Sequence, residues 1–136
     1  MTTRIALLLT TISVLTLASC ADKEAVVRHY TSAQVSANGG ESDVPDRPLT
    51  QTQLTALTSW INTRSNCSGF SANIPDQPSL NVQMQEASGQ NSHIDVYKHD
   101  NGSATAYIYE GNRLAPIRCF LTSADVVALK SALNTQ

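Results

Sequence analysis

The sequence is poor in the residues that most chemistries need. Its 136 residues hold nine Lys or Arg, nowhere concentrated enough to grip a phosphate backbone, so nucleic acid is not an expected partner. There is no glycine-rich phosphate loop and no serine in a Gly-x-Ser-x-Gly turn. Histidines number three. His93, Asp95 and His99 alternate onto one strand face, but His93 and His99 are six residues apart, about 20 Å along a strand, and cannot share an ion. His93 and Asp95 alone offer two ligands, so no metal is expected. As a base and its orienter they lack a placed nucleophile. Glu86, Asp95 and Glu110 are the carboxylates a glycan hydrolase would pair, yet so small a domain has little room for the deep cleft such chemistry prefers. The chain therefore reads as a non-enzyme without cofactor.

Long apolar runs are also missing. The longest, Ile5 to Leu17, follows a single Arg4 and is too short and too threonine-rich to span a bilayer, but it suits a secretory signal peptide. Leu17, Ala18 and Ser19 then lead directly into Cys20. This stretch resembles the lipobox of bacterial lipoproteins. The resemblance implies that residues 1–19 are removed and that Cys20 carries the lipid anchoring the chain to a membrane of the cell envelope. In enterobacterial lipoproteins an aspartate after the cysteine is the inner-membrane retention signal; Ala21 stands there instead, which favours the outer membrane, facing the periplasm.

Loss of residues 1–19 removes Arg4 alone and leaves eight basic against eleven acidic residues, a net charge of about −3. Of the three cysteines, Cys20 is claimed by lipid, and Cys67 and Cys119 remain as a disulfide pair for an oxidising compartment. From Ala21 to Pro48 the chain is rich in Ser, Asn, Gly, Asp and Glu and nearly free of large apolar residues. Such a segment cannot offset its ordering entropy by burial, so residues 20–48 read as the lipidated cysteine and a disordered tether, with room for a helical turn or two in Lys23 to Tyr30. A flexible chain of about 28 residues reaches roughly 30 Å.

Residues 49–136 carry the folded unit. Leu54, Leu57, Trp60 and Ile61 are spaced for a helix with Thr50 as N-cap, and Val126, Leu129 and Leu133 for a second helix opened by a Thr122/Asp125 capping box. Between them the apolar period falls to two in Leu80, Val82, Met84 and in Ile94, Val96. A three-residue loop Asp100-Asn101-Gly102, pairing His99 with Ser103, puts Ile94 and Val96 on the same face as Ala106 and Ile108; a two-residue loop would put the tyrosines there. A fourth strand, from about Ala115 to Leu121, adds Ile117, Cys119 and Leu121. The expected fold is α+β: a four-stranded antiparallel meander with an N-terminal and a C-terminal helix packed on one face, and one disulfide.

The other face then displays His93, Asp95, Tyr97, Tyr107, Tyr109, Arg118 and Phe120, with Asn81, Gln83, Gln85 and Thr105 beside them. Tyr and Arg supply contact area and hydrogen bonds at low entropic cost, so this face is the candidate protein-binding surface. Lipobox, polar tether, single disulfide and small α+β domain together resemble, in layout, the periplasmic immunity lipoproteins. The resemblance implies a partner that is a secreted toxic effector, often peptidoglycan-degrading, inhibited by occlusion. A structural or accessory lipoprotein of an envelope or secretion assembly is the other expectation, with an envelope component as its partner.

Overall fold

The computed structural model describes residues 27–36, 46–68 and 73–134. The signal peptide, Cys20 and Ala21 lie outside these. The described chain is α+β: seven strands, two helices and one disulfide. In chain order the elements are β1 (Tyr30–Ser36), β2 (Arg47–Pro48), α1 (Gln51–Asn62), β3 (Cys67–Ser68), β4 (Leu80–Glu86), β5 (Asn91–Lys98), β6 (Ala104–Tyr109), β7 (Ile117–Leu121) and α2 (Ser123–Asn134). The strands make one sheet in the order β2-β1-β4-β5-β6-β7-β3, with every neighbouring pair antiparallel.

The meander β4 to β7 is the expected one, but the sheet is wider than four strands. Tyr30–Ser36 and Arg47–Pro48, expected in the tether, are strands, and Val27 to His29 before them is not helical. β1 pairs along β4, placing Ala33 opposite Met84 and Val35 opposite Val82, so that both extend the core. Burial of Tyr30, Ala33 and Val35 supplies the apolar area that fixes the segment on the sheet. At the far edge, two-residue β3 is held to β7 with Cys67 directly opposite Cys119, and the disulfide joins them.

The β5–β6 hairpin has the register expected from the apolar pattern. His99 N donates to Ser103 O at 2.9 Å, Gly102 N donates to His99 O at 3.0 Å, and Ile94 faces Ile108 while Val96 faces Ala106. Gly102 has φ +81°, a conformation that costs a side chain but not glycine. One sheet face is therefore continuously apolar through Val82, Met84, Ile94, Val96, Ala106, Ile108, Cys119 and Leu121, all buried.

Both helices cover that face, α1 against β1 and α2 against β7, and they pack on each other. Leu54, Leu57, Trp60 and Ile61 from α1 and Leu129 and Leu133 from α2 are buried, with Val126 packed at the margin. Thr50 and Gln53 form a reciprocal capping box at the start of α1. Thr122 and Asp125 do the same for α2: Asp125 N donates to Thr122 Oγ1 at 3.2 Å, and Thr122 N to Asp125 Oδ2 at 2.9 Å. Gln53 Nε2 reaches Leu133 O at one end of the pair, and Trp60 Nε1 reaches Asp125 O at the other, so the helices run antiparallel. Arg64 stacks over Trp60, 4.6 Å from the ring centroid, and pairs with Asp125.

Candidate binding face

The meander lines up the outward side chains in rows across the strands. Asn81, Asp95, Tyr107 and Arg118 are successive partners on β4, β5, β6 and β7. The next row is Gln34, Gln83, His93 and Tyr109, running from β1 to β6. On the opposite side of the first row stand Tyr97, Thr105 and Phe120. Because side chains alternate along a strand, every residue expected on this face is on it.

Exposure divides them. Phe120 is 59 % exposed, and Arg118 beside it is open to solvent. Tyr109 is half-buried and lies flat against His93, ring centroids 4.1 Å apart and planes 10° from parallel. Tyr97 and Tyr107 meet edge to face at 5.7 Å and are buried, 8 % and 4 % exposed. At that depth they pack against each other and offer far less surface than Tyr109, Arg118 and Phe120 on the same face.

Asp95 is the electrostatic centre. It accepts a 2.6 Å hydrogen bond from Asn81 Nδ2, and its Oδ2 is 3.8 Å from His93 Nε2. Burial pushes the Tyr97 hydroxyl up to about 12, with the charge of Asp95, then Tyr109, Tyr107 and Asp76, adding to the rise. Tyr109 is raised by burial first and then by Asp95 and Tyr107. Asp95 thus sits between an amide donor and an imidazole on the outer face. It has no hydroxyl or thiol nucleophile at hydrogen-bond distance among the described residues.

His99 takes no part in that group. It sits at the hairpin end, where Nε2 is 2.9 Å from Thr105 Oγ1 and the ring stacks on Phe120 at 6.4 Å. Glu110 pairs with Arg28 and Arg113, and Glu86 accepts from Ser88 and Ser92, so the two are engaged away from Asp95. No group of three His, Cys, Asp or Glu able to hold a metal occurs among the described residues.

The sequence reading missed the β1 side of the face. β1, β4 and β5 form an open groove of about 600 Å³ lined by Gln34, Gln83, Gln85, Asn91 and His93. Gln34 falls within the expected tether and Asn91 between the two expected strand patterns; the signal for β1 in the sequence is the Ala33/Val35 alternation, two residues long. No protein-family model, curated protein or solved structure matches the chain.

Proposed function

We propose that this chain is a lipid-anchored protein of the bacterial cell envelope that captures another protein through the sheet face opposite its helices. The observation that carries the reading is Phe120, an exposed aromatic ring on an ordered strand, with the His99 ring stacked beside it at 6.4 Å and exposed Arg118 on the same strand face. Phe, Tyr and Arg are the residue types that anchor protein interfaces, and a large ring left in water on a rigid strand loses little entropy when a partner covers it. The lipobox at Cys20 supports anchoring, and the Cys67–Cys119 bridge supports an oxidising compartment. No described helix is long and apolar enough to cross a membrane.

The narrower reading is an immunity protein that blocks a secreted peptidoglycan-degrading effector. An acidic mature chain, net about −3, suits a basic wall-binding enzyme and would speed encounter. Affinity capture with the tagged, lipidated protein from its own membranes, mixed with secreted proteins of competing strains, tests this. Capture of one wall-active enzyme, lost in Phe120→Ala and Arg118→Ala and matched by inhibition of that enzyme, supports it. Recovery of resident envelope components alone, unaffected by Phe120→Ala, favours the assembly role and removes this face as the binding site.

A further inference from the structure

We infer that the groove across β1, β4 and β5 binds an uncharged oligosaccharide chain. Gln34 pairs with Gln83 in one row, and Gln85 with Asn91 in the next. All four side chains are exposed, and none makes a hydrogen bond among the described residues.

An amide side chain offers a donor and an acceptor in one plane, which answers a neighbouring pair of sugar hydroxyls, each of them also donor and acceptor. Among the described residues, the groove lining contains no Lys, Arg, Asp or Glu. A phosphate or a carboxylate would find no Lys or Arg there, an ammonium group would find only the Asp95 carboxylate at the groove's edge, already engaged by Asn81 at 2.6 Å and facing His93, and an apolar ligand would strip water from the amides without replacing their hydrogen bonds.

The first row runs on into His93, half-exposed and backed by Tyr109 at 4.1 Å. A ring held flat at the end of a row of amides suits the C–H face of a pyranose, which stacks on aromatic surfaces. Three strands span about 10 Å, room for about two sugar rings end to end. The floor is main chain, since Ala33 and Met84 between the amides turn into the core. The inference is independent of protein capture by Phe120 and Arg118, which lie on β7.

The test is nuclear magnetic resonance of the ¹⁵N-labelled full chain in detergent, titrated separately with chitohexaose and cellohexaose. The expected result is a saturable shift of the Gln34, Gln83, Gln85 and Asn91 side-chain amide signals, with Gln83→Ala weakening affinity by about tenfold, the loss of one or two hydrogen bonds. Gln83 is exposed, so the thermal midpoint of that variant should stay put. A response to chitohexaose alone assigns acetamido groups to recognition, and an equal response to both sugars assigns the hydroxyl pattern; either supports the proposal. No saturable shift with either sugar at millimolar concentration, or shifts centred outside these four residues, overturns it.

Discussion

Cys67 stands directly opposite Cys119 in adjacent antiparallel strands, Cα atoms 4.0 Å apart, and their bridge closes a loop with 52 residues of sequence separation. Apart from it, β3 is held by the Ser68–Arg118 pairing and by Phe120 N donating to Asn66 O at 3.0 Å. A loop of this length corresponds to about 4 kcal/mol of chain entropy removed from the unfolded state. Cys67→Ser should cost about 2–5 kcal/mol in urea unfolding. The unsubstituted protein under reducing agent should fall to the same midpoint. Equal stability with and without reductant would remove the bridge from the energetics.

Gln53 is 2 % exposed and ties three elements together. Its Oε1 accepts from Arg47 Nη1 at 2.8 Å and from Thr50 N at 2.9 Å, while Nε2 donates to Leu133 O at 2.8 Å. Gln53→Ala leaves a cap donor, an arginine and a helix-end carbonyl without this partner. The expected loss is about 2–3 kcal/mol by urea denaturation. A loss near zero would mean that solvent replaces the side chain and that the helix ends are not coupled through it.

Asp125 is held below the usual carboxylate range, chiefly by the side-chain and then the backbone hydrogen bond from Thr122, with Arg64 adding to the effect. A pKa lower in the folded than in the unfolded state gives stability that is present above the unfolded value and lost as pH falls through the folded one. Acid unfolding should therefore steepen below about pH 4. Asp125→Asn should flatten that limb while lowering stability at neutral pH. An unchanged acid limb in this variant would assign the dependence to other carboxylates.

At high pH the sign reverses. Tyr30 and Tyr97 are both pushed up to about 12, Tyr30 mainly by burial, then by Glu110 and Glu86 against the opposing charge of Arg28. A folded pKa above the unfolded one gives stability that is complete below about pH 10 and lost as pH rises towards 12. Absorbance titration at the phenolate band should show late-ionising tyrosines. Tyr97→Phe should weaken the alkaline loss of stability, and ordinary titration of every tyrosine would refute the burial of both.

Substitutions on the outer face should separate by depth. Tyr107, 4 % exposed, acts as a fold residue, and Tyr107→Ala should cost about 3–5 kcal/mol. Phe120→Ala, at a site 59 % exposed, should change stability by no more than about 0.5 kcal/mol while abolishing capture of the partner. Thermal melts alongside the capture assay check both. Retained capture in Phe120→Ala with a stable fold would clear β7 of a binding role.

Much of the fold could be read from local pattern. The alternation in Leu80 to Met84 and Ile94 to Val96, the Asp100-Asn101-Gly102 loop and the Thr50 and Thr122 caps each have one arrangement that buries apolar atoms and satisfies backbone donors, and that arrangement is observed. β1 was illegible for a specific reason. Its buried residues are Tyr30, Ala33 and Val35, and the pairing with β4 shifts between Tyr30 and Ser32, so the inward spacing is three and then two. An irregularity of this kind erases the period of two by which a strand is recognised. With small Ala33 as one of its three inward residues, the segment reads as polar tether.

The amino-acid order alone determined which side of each strand faces the core, because a one-residue slip would exchange Ile94 and Val96 for polar neighbours at a cost no local preference could offset. It also determined the helix starts, where a hydroxyl or carboxylate three residues away meets otherwise unpaired N–H groups. Depth on the outer face was decided only by the assembled chain. Tyr97, Tyr107 and Phe120 share that face, yet two are buried and one is open, because burial depends on which neighbours the fold brings to each ring, as it brings Tyr97 and Tyr107 edge to face at 5.7 Å. The amide groove likewise exists only once β1 has joined β4, bringing Gln34 beside Gln83 across nearly fifty residues of chain. Contacts so far apart in sequence leave no periodic trace, since the energy that forms them comes from area that neither segment buries alone.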